Sequence, residues 1–170
     1  MSAIKSNAVR WAAAGATGGL LAFMSFMAPL EGEVREVYHD VGGVATVCLG
    51  STVFKNKGTY TAEECAELYF EDATRFYQAV KEDSPEDTPE SVLVAMSSVA
   101  YNVGTRGYMQ SPMRPLVQAG AYRAACEAIV APWVTSKGVA KGYRATVQLR
   151  PHRGLENRRQ KEYEHCVSGL

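Results

Sequence analysis

"LEGEVREVYHDVGGVATVCLGST", residues 30–52, places two carboxylates, Glu31 and Asp40, nine positions apart in unlike local settings. From Val37 to Gly50 the chain is rich in glycine and β-branched residues, and D-V-G-G is a turn signal, so this stretch predicts a β-hairpin. Glu31 comes before the hairpin and Asp40 sits at its turn. Two acids in different environments suit glycoside hydrolysis, in which one carboxylic acid protonates the leaving oxygen while an ionised partner activates water or stabilises positive charge. Thr46, six residues beyond Asp40, offers a hydroxyl to hold that water. The plainer alternative is a pair of solvated surface acids.

Upstream of Glu31, residues 11–30 ("WAAAGATGGLLAFMSFMAPL") carry no charge, while residues 1–10 contain Lys5 and Arg10 and no acid. Twenty helical residues reach roughly 30 Å, the thickness of a bilayer core. Basic residues before the span and acids after it predict an N-terminus that stays inside and a remainder that is exported. A cleaved signal peptide would need small residues at the cut, but Phe26 and Pro29 flank Ala28 unfavourably, so an uncleaved anchor is expected. It would be a weak one, because eleven of its twenty residues are Ala, Gly, Ser or Thr. A buried soluble helix and a glycine-packed span are the competing readings.

Downstream, "YTAEECAELYFEDATRFYQAV" (60–80) opens with Thr61 and Glu64 in capping-box positions, and its apolar residues recur at helical spacing. An acidic, Pro-containing loop (81–90) follows. Thr88 and Pro89 then read as N-cap and first turn of a helix ending near Gly104. "SPMRPLVQAG" (111–120) and "AYRAACEAIV" (121–130) predict two shorter helices. Lys137 to Arg153 has no clear period and reads as loop, and a last helix covers about Leu155 to Val167. Helices outnumber strands and the strands cluster early, so the class is α+β.

The chain has 170 residues, enough for one domain with a real core. Its formal charge of zero argues against a dedicated nucleic-acid binder. Charge is unevenly spread: Lys137 to Lys161 holds eight Lys/Arg and a single acid, Glu156. That run is either a solvated basic face or a contact with an anionic polymer of the cell envelope. The four cysteines (Cys48, Cys65, Cys126 and Cys166) include no C-x-x-C pair, and the three histidines are scattered, so zinc ligation has little support. Four cysteines allow three connectivities, and free buried thiols remain an alternative.

The motif E-G, then Y-x-D, then G-x-x-T in the opening stretch resembles the phage-type lysozymes, glycoside hydrolase family 24. The resemblance continues through "YTAEEC", "AYNVGTRGY" and "GLENRRQKEYEHC" and covers about residues 30–167. It implies a lysozyme-like, mostly helical fold with a small early hairpin, and a muramidase that cuts the β-1,4 bond between N-acetylmuramic acid and N-acetylglucosamine in peptidoglycan. It assigns Glu31 as general acid, Asp40 as second carboxylate and Thr46 as water-orienting partner, and places Tyr101 and Ser111 near the sugar cleft. No metal or cofactor is implied. A subgroup of the family also implies the disulfides Cys48–Cys65 and Cys126–Cys166. Two departures stand out: Ser51 where the family commonly has histidine, and a stretch at 140–153 that looks inserted.

With the weak anchor, the chain also resembles the signal-anchor-release endolysins. The expected organisation is therefore a basic tail (1–10), a releasable anchor (11–30) in the host inner membrane and a catalytic domain (31–170) in the periplasm. The rival reading is a membrane-tethered lysozyme-fold protein that binds peptidoglycan or a partner without turnover.

Overall fold

A computed structural model describes residues 7, 11–12, 15–40, 43–52, 54–55 and 58–170. The expected basic tail, apart from Asn7, and the hairpin residues 41–42 lie outside them. The chain divides into two compact units, Met1–Arg75 and Phe76–Leu170.

In the first unit, the uncharged stretch is not one continuous helix. Gly15 takes a left-handed φ of +93°, which favours glycine, and Thr17 then caps a new helix, its Oγ1 accepting from Leu20 N at 3.3 Å. That helix, α1 (Gly18–Met27), has ten residues. At 1.5 Å each they span about 15 Å, half of a bilayer core. Among the described residues no helix is long and apolar enough to cross a membrane. Instead Leu20, Phe23, Met24 and Met27 are buried. The Tyr69 hydroxyl donates to Met24 O at 2.6 Å, and Trp11 stacks on Phe70 with centroids 5.5 Å apart.

Two strands follow, β1 (Val34–His39) and β2 (Ala45–Cys48), paired antiparallel with Tyr38 opposite Thr46 and His39 opposite Ala45. The predicted hairpin is therefore present. Helix α2 (Ala62–Asp83) carries the expected capping box: Glu64 N donates to Thr61 Oγ1 at 3.2 Å and Thr61 N donates to Glu64 Oε2 at 2.9 Å. The Cys48–Cys65 disulfide ties β2 to α2 inside a small core of Val47, Tyr60, Phe54 and Leu68.

The second unit is built around α3 (Glu90–Val103), in which every residue from Val92 to Ala100 is buried. Its start differs from expectation by one turn position. Thr88 donates its hydroxyl to Pro85 O at 2.7 Å, so it does not cap the helix, and Pro89 occupies the cap. Short helices α4 (Thr105–Met109), α5 (Met113–Gln118) and α6 (Tyr122–Val130) lead to the last helix, α7 (Arg153–Val167). Cys126–Cys166 joins α6 to α7.

Facing α3, α7 presents a fully buried ion pair. Arg159 Nε lies 2.8 Å from Glu162 Oε2, and Ser98 of α3 donates to Glu162 Oε1 at 2.5 Å. Arg158 adds a second cation, its Nε 3.2 Å from the same carboxylate, and Arg159 also donates to Asn102 Oδ1 at 2.8 Å. Burial lowers the Arg159 pKa and Glu162 partly restores it. This pairing is what lets two charges sit in the core.

The expected loop at Lys137–Arg153 is instead two tight hairpins. One pairs β3 (Pro132–Thr135) with β4 (Gly138–Lys141), and the other pairs β5 (Thr146–Val147) with β6 (Arg150–Pro151). Tyr143 and Ala145 between them are buried, and the Tyr143 hydroxyl donates to Gly107 O at 2.8 Å. The stretch that looked inserted is thus an integral part of this unit.

Candidate active site

Glu31, Asp40 and Thr46 all belong to the first unit. Only Ala28, Pro29 and Leu30 separate Glu31 from the last residue of α1, and Leu30 N donates back to Met27 O at 2.8 Å. The position of this acid is therefore set by how α1 is packed. Glu31 is partly buried.

Asp40 closes the β1–β2 turn. Its N donates to Val44 O at 3.0 Å, its Oδ1 accepts from Val44 N at 2.9 Å, and Gly43, at φ +81°, donates to Asp40 O. A short polar side chain that bonds the backbone ahead of it is the reason Asp is favoured in such turns. One carboxylate oxygen is thus committed to the turn.

Thr46 is only 3% exposed and donates to Val44 O at 2.9 Å. That bond uses its single hydrogen, which leaves the oxygen lone pairs as acceptors. Because Tyr38 and Thr46 are direct partners, their side chains share one face of the hairpin. Asp40 follows the end of β1, two residues beyond Tyr38.

Tyr38 links the acids, although sequence reasoning did not single it out as a site residue. Burial raises its pKa, and the negative charges of Glu31 and Asp40 raise it further. One phenol therefore lies within the field of both carboxylates, which brings the sequence-predicted pair to a common locality. The signal was available in the Y-x-D spacing, which keeps Tyr38 two residues from Asp40.

Ser51, where a histidine was expected, is 2% exposed and exchanges both backbone hydrogen bonds with Val47 at 2.9 Å. It lies in the bend that follows β2. Tyr101 and Ser111 belong to the second unit. Tyr101 packs on Phe76 with ring centroids 5.1 Å apart, and Ser111 is 4% exposed with its Oγ accepting from Arg114 N at 3.4 Å. A cavity of about 480 Å³ opens beside Phe54, Tyr60 and Leu68, and neither Glu31 nor Asp40 lines it. Among the described residues no cluster of three or more His, Cys, Asp or Glu could hold a metal ion.

The phage lysozyme family model matches residues 28–162, which contain all three of these positions. A SAR-endolysin of Bacteriophage PS119 is 30% identical over 143 residues, covering 82% of this chain and 78% of that protein. The active form of the P1 phage endolysin Lyz superposes with a TM-score of 0.70 at 21% identity, covering 91% of this chain and 85% of that one. The muramidase domain of SpmX from Asticaccaulis excentricus does so with a TM-score of 0.69 at 19% identity, over 86% of this chain and 95% of that one. These two likenesses establish the lysozyme-like α+β fold. With most of its length matched by the family model, the chain belongs to the phage lysozyme family.

Proposed function

We propose that this protein is a phage endolysin, a muramidase that hydrolyses the β-1,4 bond between N-acetylmuramic acid and N-acetylglucosamine in peptidoglycan. The observation that carries the reading is that the charges of Glu31 and Asp40 both act on Tyr38, whose cross-strand partner is Thr46. Membership of the phage lysozyme family supports it.

In this mechanism Glu31, as the carboxylic acid, gives its proton to the glycosidic oxygen as the C–O bond breaks. Asp40 is the ionised partner. With Oδ1 held by Val44 N, its other oxygen either stabilises the oxocarbenium-like charge or takes a proton from the attacking water. Thr46 accepts from that water and fixes its approach. Tyr38, kept protonated by burial and by the two acids, supplies a neutral hydroxyl and adds no third negative charge. In the second unit, Tyr101 and Ser111 serve sugar binding.

We also infer an export route, which the name SAR-endolysin of the relatives supports. Residues 1–10 form a cytoplasmic tail, residues 11–30 an anchor in the host inner membrane, and residues 31–170 a periplasmic catalytic domain. The packed α1 would correspond to the released form, in which Phe23, Met24 and Met27 have exchanged lipid for the protein interior. Because Glu31 follows α1 so closely, holding that segment in lipid holds the acid away from Asp40. Release then completes the site.

Clearing of outer-membrane-permeabilised Gram-negative cells by the full chain tests the reading. The wild type should clear the suspension, and Glu31→Gln should not, at an unchanged melting temperature. Near-normal clearing by Glu31→Gln would reject the assignment.

A further inference from the structure

Arg144 occupies the turn that joins β4 to β5, which Ala145 N closes on Gly142 O at 3.2 Å. Its φ is +48°, in the left-handed region where a Cβ crowds the neighbouring carbonyl. Glycine or asparagine takes that conformation at less cost. Gly142 in the same turn is a glycine for a visible reason, since a Cβ there would come within 2.5 Å of Arg159 Cγ. The backbone of the turn offers no matching reason for a long cationic side chain at 144.

The side chain is held in place. It is half-buried, with its guanidinium over the Tyr143 ring, 5.5 Å from the centroid. A Cβ on Gly107 would stand 3.2 Å from Arg144 Nη1, and the Tyr143 hydroxyl donates to Gly107 O at 2.8 Å. The guanidinium therefore rests against α4. Burial raises the Tyr143 pKa, and the positive charge of Arg144 opposes that rise.

What this guanidinium lacks is a counter-charge. Among the described residues four arginines are not exposed: Arg114, Arg144, Arg158 and Arg159. Arg114 pairs with Asp83, and Arg158 and Arg159 pair with Glu162. No described carboxylate pairs with Arg144. Withdrawing a cation from water without a partner is costly, and an aromatic face recovers only part of that cost. A left-handed backbone and an uncompensated, half-buried charge in one residue point to an anion that arrives from outside.

We propose that Arg144 is a specificity residue that takes a carboxylate carried on the muramic acid units of peptidoglycan, a role that rests on the muramidase reading. Its support, α4, lies in the chain between Tyr101 and Ser111, the two positions assigned to sugar binding. The sugar rings of the glycan are neutral. Its carboxylates belong to the lactyl group of muramic acid and to the peptide joined there. A planar guanidinium fits a carboxylate through two parallel hydrogen bonds, and the Tyr143 ring restricts where that plane can point. Arg144 thereby distinguishes this polymer from an uncharged amino-sugar chain.

The test is calorimetric binding of soluble glycan tetrasaccharides to the full, disulfide-intact chain in detergent, with Glu31→Gln as the parent so that the ligand stays whole. Three ligands are compared: the tetrasaccharide with its peptides, the same with every carboxylate converted to a methylamide, and the peptide-free form with bare lactyl carboxylates. Losing a charge-assisted hydrogen bond weakens binding about tenfold to a hundredfold. The parent should lose that factor on the methylamide. Adding Arg144→Gln should cost the same factor on the carboxylate ligand and leave no preference between the two, while Arg144→Lys should keep part of it. Arg144 dependence on the peptide-free ligand would place the anion on the lactyl group, and dependence only with peptide would place it there; both fit the proposal. Equal binding of carboxylate and methylamide by the parent would overturn it with no variant involved, as would no binding at all. An Arg144→Gln loss of equal size on both ligands would mark a structural role, with the same consequence. Binding is read without turnover, so a wild type that cuts nothing would count against the muramidase reading and not against this result.

Discussion

Phe23 offers a way to ask whether packing of α1 against the protein drives release of the N-terminal segment. Its side chain is fully buried in the first unit, so Phe23→Ala should cost the docked form about 3–5 kcal/mol. The same change also makes the segment less hydrophobic, but on the insertion scale that is worth only about 0.3–0.6 kcal/mol. The two effects oppose each other, and docking wins by at least about 2.4 kcal/mol, a shift of roughly fiftyfold toward the membrane-held form at 1.4 kcal/mol per decade. Tyr69→Phe isolates the docking side, because Tyr69 is outside the segment and donates to Met24 O. Met24 O keeps a second donor, Ala28 N at 3.0 Å, so the loss should be about 1 kcal/mol, or about fivefold in the same direction. The assay is fractionation of cells expressing the full chain, before and after dissipation of the membrane potential, with soluble and pelleted protein quantified. Both variants should stay in the pellet longer than wild type, Phe23→Ala more than Tyr69→Phe. If Phe23→Ala is released more readily than wild type, segment hydrophobicity alone governs release and the docking argument fails.

Other perturbations probe the second unit and the crosslinks. Glu162→Gln leaves the buried Arg159 without its counter-charge and should cost about 3–5 kcal/mol in urea unfolding, whereas R159M/E162L should recover most of that loss. Replacing Cys126 and Cys166 by alanine opens a 40-residue separation and should lower stability by about 4 kcal/mol; the Cys48–Cys65 pair, 17 apart, is worth about 3. Burial holds the His165 pKa below the ordinary value, with Glu90 opposing, so the native state favours neutral imidazole. The unfolded chain then binds more protons as pH falls below about 6.5, and stability should decline there. His165→Gln should flatten that part of a stability–pH profile.

Some of this was legible in the residues alone and some was not. The capping box at Thr61 and Glu64 is a local chemical statement, and both of its hydrogen bonds are present. Thr88 carried the same kind of signal, but Pro85 O accepts its hydroxyl, a competition that the pattern does not reveal. The hairpins at 132–151 escaped notice because β5 and β6 are two residues each and their turn is Gln-Leu, without the Asn-Gly mark of a primed turn. The uncharged run 11–30 read as one span because composition registers Gly15 as small and apolar, not as a left-handed break ahead of the Thr17 cap. At the candidate site, the resemblance to the phage-type lysozymes, not the spacing alone, pointed to Glu31, Asp40 and Thr46. That the half-buried Tyr38 stands opposite Thr46 depends on strand register, which the residues alone do not fix.

The central claim is that this chain cuts the glycan and that Glu31 is the acid that does it. The most direct measurement is mass spectrometry of fragments released from purified sacculi by the full chain in detergent, beside the Glu31→Gln variant. The account predicts muropeptides with new N-acetylmuramic acid reducing ends from the wild type and none from Glu31→Gln. Sacculi bound but left uncut by the wild type, or the same reducing ends from both proteins, would contradict it.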